Sequence, residues 1–434
     1  MSPWRKVVLA LLVPAAAGAT TYHVPADYTT IQAALDRCSV GDSVLVAPGT
    51  YSDWTLTPGG ITAEVAQVPD GVVLTSEGGT GETTIDLAPL EGAASSYAAF
   101  GCSHHDSGLT VIDGFRVIGF PPTSNGVAMG YCEHIEVRNC VFEAAGLPDP
   151  DIERGGISMR LSDLHVSNCM FIRCSAHVGA GVSQVGGTLT VEGCTFIECQ
   201  NQGIRAIQGT GAATNSLEVR DCLFQGCMSD IGGAGVSVEE MVDGLTIDAC
   251  RFRDLTMSVA GTISISSTPS MTVSNCVFSD IDLLTGSGGC VSVIGGSCMI
   301  TGNTMAFIHQ AHSVGAAVRT YGATPTLQRN IIAHTSGTTA IRFENGGPVT
   351  GACNVFWDNA DGIGYTPRPT DRIADPLFCN EDTRDLTLQP TSPCLPENSL
   401  GCGLIGALGQ GCGSISVKPQ SWGRTKSAYR SGEE

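Results

Sequence analysis

The sequence predicts an all-β solenoid of about ten or eleven stacked coils, and three observations carry that prediction. The first is a phrase that returns from Gly114 to Asn354: apolar, x, apolar, x, small or polar, then Cys or Asn, often with Phe two residues on. Ile135-Val137-Asn139-Cys140-Phe142 and Leu189-Val191-Gly193-Cys194-Phe196 are examples, and Asn303, Asn330 and Asn354 later take the Cys position. The second is the spacing, which from Gly114 runs 26, 29, 25, 28, 28, 26, 27, 27 and 24 residues. A drifting period in the twenties, with two-residue alternation inside each phrase, is that of stacked β-coils. The third is composition: 6% aromatic, 15% charged and 55 glycines in 434 residues, the balance of short strands joined by tight turns.

The elements follow in chain order. Arg5-Lys6, the apolar run Val7 to Val13 and Ala17-Gly18-Ala19 read as a signal peptide over residues 1–19, with the mature chain starting at Thr20. Thr29 or Thr30 can cap a helix with the apolar face Ile31, Ala34, Leu35 and Cys38, expected to plug the open N-terminal end of the solenoid. Residues 41–51 read as turn, strand and turn, completing a cap and first coil over 20–51. In later coils a Gly-rich segment precedes a further strand, as in Gly155-Gly156-Ile157-Ser158 and Gly235-Val236-Ser237-Val238. The solenoid domain is expected over 20–412, ending in a Cys-rich wrap over 373–412 and followed by a flexible tail over 413–434. No interior stretch reaches the ~18 apolar residues of a membrane helix.

Nineteen cysteines in an exported chain invite a disulfide reading, and the repeat supplies a competing one. Cys140, Cys169, Cys194, Cys222, Cys250 and Cys276 share one repeat position with the three Asn residues. Coils ~4.8 Å apart would stack all nine into one buried column, with Cys acting as a small hydrophobe. Cys174, Cys199 and Cys227 form a second column five residues on; adjacent coils lie within the Cα range of a disulfide, so bridged and free thiols both stand there. Cys379, Cys394, Cys402 and Cys412 are expected to be oxidised, among themselves or with Cys353.

The stretch TIQAALDRCSVGDSVLVAPGTYSD, from Thr30 to Asp53, resembles the opening cap and first coil of right-handed parallel β-helix proteins of the pectin-lyase-like superfamily. The likeness covers roughly Thr20 to Cys412. The closing segment, from Ile373-Ala374-Asp375-Pro376 to Cys412, resembles that of secreted, cysteine-rich bacterial β-helix proteins of unassigned function. The resemblance implies a right-handed parallel β-helix and leaves the activity open, because this fold carries many unrelated chemistries. It also implies that the sheet following each Gly-rich segment lines a substrate groove in polysaccharide-acting members.

On that sheet one outward column reads Ser158, Ser183, Arg205, Ser237, Ser264, Ser292, Arg319 and Arg342, a flat strip of hydroxyls with occasional Arg. Arg319 and Arg342 fall on successive coils with Tyr321 and Glu344 two residues along. Two guanidinium forks could hold a carboxylate, with Tyr321 the nearest acid or base; alternatively Glu344 neutralises both Arg internally. From Thr20 to Cys412, sixteen Arg and no Lys face forty acids, a charge near −24 that repels nucleic acid and anionic lipid. The partner that the resemblance implies is extracellular polysaccharide, bound through Arg205, Arg319, Tyr321, Arg342 and Glu344 by a protein that is secreted or at the cell surface, extracellular or periplasmic. The alternatives are a structural or adhesive rod and a lyase acting on uronate-containing glycan. Glycoside hydrolysis is disfavoured, because the outward acids Glu239 and Glu344 lie four coils, ~19 Å, apart, whereas an inverting pair needs ~6.5–9.5 Å. For metals, Asp149, Asp151 and Glu153 alternate in a loop as Ca²⁺ ligands do, and His104-His105-Asp106 and His309 with His312 are weaker groupings.

Overall fold

The computed structural model describes residues 18–144, 154–176, 179–212, 215–240, 244–285, 288–311 and 315–413. The chain is a parallel β-helix of about eleven coils. Each coil passes through three faces, as in Val236–Glu239 on the first, Gly244–Asp248 on the second and Arg251–Met257 on the third. Arg154–Ser167 and Val182–Glu192 run unbroken through the corner between the first two faces, which therefore join in one sheet of 22 strands. The third face forms a separate sheet of 14 strands. The helix Ile31–Leu35 is capped by Thr30, whose hydroxyl accepts from the Ala33 amide at 3.2 Å. It buries Ile31, Ala34 and Leu35 against the first strands of the coil stack.

The repeat phrase spans the second face, a corner and the third face. Its small or polar residue is the corner: Asn139, Asn168, Gly193, Asp221, Asn275 and Gly302 all have φ between 51° and 67°. Short polar side chains and glycine tolerate this left-handed conformation better than other residues do. Asn139 and Asn275 also donate to Asp113 and Asp248 of the preceding coil, each at 2.8 Å. The next residue turns inward and forms the expected column. Asn303 accepts from the Cys276 amide at 2.9 Å, Asn330 from the Asn303 amide at 3.0 Å, and Asn354 from the Asn330 amide at 3.1 Å. Each Asn amide group also donates to a carbonyl of the coil before, as Asn330 does to Ile300 at 2.8 Å.

All six cysteines send Sγ–H to a carbonyl of the coil before, and at Cys169 and Cys194 the sulfur also accepts a backbone amide. The Cys140 amide donates to Cys169 Sγ at 3.5 Å, and Cys169 Sγ–H reaches the Val137 carbonyl at 3.6 Å. A thiol both accepts and donates, weakly, so Cys stands in for Asn in the ladder. All six are buried and free. Two residues on, Phe142, Phe171, Phe196, Phe224, Phe252 and Phe278 stack with ring centroids 4.6–5.2 Å apart. Burying each ring stabilises by roughly 1.5–3 kcal/mol, and each aromatic pair adds about 0.5–1.5 kcal/mol. The Gly-rich segments make room for these rings: a Cβ at Gly203 would lie 2.7 Å from Phe224, and one at Gly156 2.4 Å from Phe171.

Two expectations need correction, and one alternative left open is decided. The first repeat slips by one residue: Thr110 pairs with Ile135, so Phe115 and not Gly114 holds the ladder position, and Leu109 is 54% exposed. Shifting a strand by one residue moves every side chain to the other face, and burial of Ile112 and Phe115 settles the choice. Cys174, Cys199 and Cys227 are free, each thiol pointing to a carbonyl of the preceding coil. In the C-terminal wrap Cys353 bonds Cys402 and Cys379 bonds Cys412, but Cys394 stays free and buried beside Ser392.

The wrap lies along the outer side of the last third-face strands. Phe378, Leu386, Leu388, Leu395 and Ile405 form a second apolar core over Ala306, Ile331, Ala333 and Val355. Arg384 fixes it, bonding Asp280 at 2.7 and 3.0 Å with its guanidinium 3.8 Å above the Phe307 ring. Phe307 in turn stacks on His334, whose ring nitrogens face Asp358 and Glu381 at 3.0 and 3.3 Å. Residues 1–17 and 414–434, and with them most of the signal-peptide segment and the tail, lie outside the described residues.

Candidate functional site

The outward column of the first face has the expected membership. Ser158 pairs with Ser183, Ser183 with Arg205, Arg205 with Ser237, and the register continues through Ser264, Ser292 and Arg319 to Arg342. It is not a flat strip. Ser237 and Ser292 are only 4% and 6% exposed, and at Ser237 a corner loop folds over the strand that follows it. A Cβ at Gly232 would lie 3.0 Å from Ser237 Oγ, which shows how closely one such loop approaches. The recess is thus local to Ser237 and Ser292, while Ser158, Ser183 and Ser264 are half-buried, and the charged groups of the column are its three Arg residues.

There the ion pairs are internal. Arg205 lies 3.7 Å from Glu239, Arg319 Nη2 lies 3.3 Å from Glu344, and Arg342 Nε bonds the other Glu344 oxygen at 2.7 Å. Glu344 is therefore the bridge between two guanidinium groups, the internal neutralisation that the sequence left open. The Arg319 side chain is 15% exposed and its buried Nε has no hydrogen-bond partner. Tyr321 and its neighbour in register, Ile294, are each 45% exposed and form a partly apolar rim. Glu239 and Glu344 stand four strand spacings apart along one register, as expected.

Of the proposed metal groupings only His104-His105-Asp106 lies wholly within the described residues. Asp149, Asp151 and Glu153 lie outside the described residues, as does His312. His104 stacks flat on Tyr131, whereas His105 is buried against the Thr110 hydroxyl at 3.1 Å, so the two imidazoles do not converge. Among the described residues no group of three or more His, Cys, Asp or Glu side chains could hold a metal ion.

Sequence reasoning missed two features. Glu64, in the first strand of the first face, is 7% exposed, its Oε2 has no partner, and burial pushes its carboxyl up to about 7. Its signal was an acid inside the apolar run Ala63-Glu64-Val65-Ala66. The second is a pair of cavities of 310 and 360 Å³ on the outside of the second face, which share Thr188. The unassigned x positions of the repeat phrase line them, and reading those positions as columns would have found them.

The family description for a right-handed β-helix region matches residues 95–252 and 213–370, well over half of the chain. The chain belongs to the right-handed β-helix family. Several solved structures are similar to it at low identity. A rhamnogalacturonan lyase shares 12% identity over 94% of this chain and 99% of its own, with a TM-score of 0.47. The A-module of the Azotobacter vinelandii mannuronan C-5 epimerase AlgE4 shares 16% over 80% and 93%, with a TM-score of 0.42. The pectate lyase Pel9A shares 14% over 91% and 97%, with a TM-score of 0.39. No curated protein matches the sequence. Within this β-helix the Arg319–Arg342–Glu344 cluster lies near the C-terminal end of the first face, in its last two strands, Val318–Tyr321 and Ile341–Glu344.

Proposed function

We propose that the protein is exported and binds uronate-bearing extracellular polysaccharide at Arg319, Arg342, Tyr321 and Glu344, with Arg205 as an outlying contact. The buried, unpartnered Nε of Arg319 carries this reading. An orphan donor on a charged group is costly, and an anionic ligand is the acceptor that removes that cost. The surrounding body is strongly acidic, with 42 Asp and Glu against 22 Lys and Arg in the whole chain, so a polyanion has few other places to dock. Export is supported by the leader-like segment and by the two disulfides. Among the described residues no helix is long and apolar enough to cross a membrane.

The test is calorimetric titration of oligogalacturonate and oligoalginate into the protein and into an Arg319→Ala/Arg342→Ala variant. Binding is expected to weaken at least ~10-fold in the variant and to fall with added salt, since the contact is charge-assisted. The thermal midpoint should change little, because partly exposed ion pairs contribute ~0–1 kcal/mol. Absence of uronate binding, or binding that survives the double substitution, would overturn the reading and favour a structural rod. Shortening of the polymer with an unsaturated end would instead establish a lyase, with Tyr321 the first residue to test as base.

A further inference from the structure

We infer that the second face carries a separate binding trough for an uncharged, polyhydroxylated chain, a neutral polysaccharide. The two cavities of 310 and 360 Å³ meet at Thr188 and form one depression along the helix axis. Their strands run in unbroken register from Thr110 through Ile135, Leu164, Leu189, Leu217 and Leu245 to Met271. Seven strands at ~4.8 Å give a length of about 29 Å. That is room for an extended oligosaccharide and is too long and shallow for a compact small molecule.

The floor of the larger cavity is mostly hydroxyl-bearing, interrupted by Glu218 and Gly244, while Glu136, Asp163 and His165 line the other. One column runs Thr190, Glu218, Thr246 and Thr272, and a second, two residues away, runs Thr188, Ser216, Gly244 and Ser270. Among the described residues the hydroxyls of Thr190, Ser216, Thr246 and Thr272 make no hydrogen bond to protein. On the same face, outside the trough, hydroxyls do pair: Thr326 bonds Thr350 at 2.7 Å and Ser274 bonds Asp248 at 2.6 Å. Thr188, Thr190, Ser216, Thr246, Ser270 and Thr272 thus offer two rows of hydroxyls that both donate and accept, the capacity that sugar hydroxyls require. A Cβ at Gly244 would meet nothing within 4 Å, so the centre of the depression is open.

The charges specify a neutral ligand. Glu218 is paired with Arg220, Glu136 lies 3.3 Å from Arg138, and Glu192 faces His165 at 3.7 Å. Asp163 accepts the Thr188 amide at 3.0 Å. Arg220 and Arg138 pair with Glu218 and Glu136, while Asp163 and Glu192 keep acceptor oxygens beside the trough, so the local charge is acidic and repels a uronate. Exposed Leu109 closes one end and supplies an apolar surface for a sugar ring.

The experiment titrates cellohexaose, xylohexaose and mannohexaose into the protein, into Thr190→Lys/Thr246→Lys, and into Arg319→Ala/Arg342→Ala. The lysines would fill the trough with long charged side chains; Thr190→Ala/Thr246→Ala serves as a second variant should the first fail to fold. At least one neutral hexasaccharide should bind the native chain, with Kd raised ~10-fold or more by the lysines, raised less by the alanines, and unchanged by loss of the two arginines. If none of the three binds, or if binding ignores the trough substitutions, the inference is overturned. Loss of uronate binding alone in the arginine variant would leave it standing, so the two sites fail separately.

Discussion

Asn330→Ala is expected to destabilise the protein by about 3–5 kcal/mol, because the side chain satisfies several buried groups at once. Asn330 is fully buried; it accepts from the Asn303 amide and from Asn303 Nδ2, and donates to the Ile300 carbonyl and to Asn354. Alanine leaves the backbone partners unpaired in a place that water does not reach, and such groups cost about 1–3 kcal/mol each. Asn330→Cys should cost much less, about half or under, since the chain itself uses Cys for the same two bonds in earlier coils. Urea unfolding of the three proteins checks this. Equal losses for Ala and Cys would mean that the thiols merely fill space.

Glu64→Gln is expected to stabilise the protein at pH 8 by up to about 3 kcal/mol and to flatten its pH dependence. The sign follows from proton counts. Burial raises the folded-state pKa from 4.5 to about 7, so between these values the folded chain holds a proton that the unfolded chain has released. Stability therefore falls as pH rises from 4.5 to 7 and levels off above, where the carboxylate is buried without a partner for Oε2. Gln keeps the shape and cannot ionise. Unfolding midpoints at pH 5 and pH 8 should differ less in the variant than in the native protein; the same difference in both would show that Glu64 is solvated.

Much of the fold was legible because a solenoid writes its geometry into a period. The alternation in Leu189-Thr190-Val191, the corner residue Gly193, the ladder residue Cys194 and the inward Phe196 each occupy the place that the phrase assigned. The register of the Ser and Arg column was equally readable, since one residue per coil must stack over the next. The errors arose where the period carries no information. A spacing counted from Gly114 places Leu109 inward, yet the strand pairs one residue later. The recess over Ser237 comes from a corner loop whose path the repeat does not encode. Glu64 and the second-face trough were missed because their residues sit at variable positions, where sequence alone does not distinguish solvated side chains from a site. The pairing of Arg319 and Arg342 through Glu344 was foreseen as one of two outcomes, and only side-chain geometry chose between them.

The cysteine columns form a hydrogen-bonded ladder and not a disulfide framework. The direct measurement is mass spectrometry of exported protein, alkylated under denaturing, non-reducing conditions and digested. Fifteen cysteines should carry the alkyl group, Cys394 among them, while Cys353–Cys402 and Cys379–Cys412 appear as intact linked peptides. A linked peptide joining any two of Cys140, Cys169, Cys194, Cys222, Cys250 and Cys276 would contradict the ladder and the equivalence of Cys with Asn on which it depends.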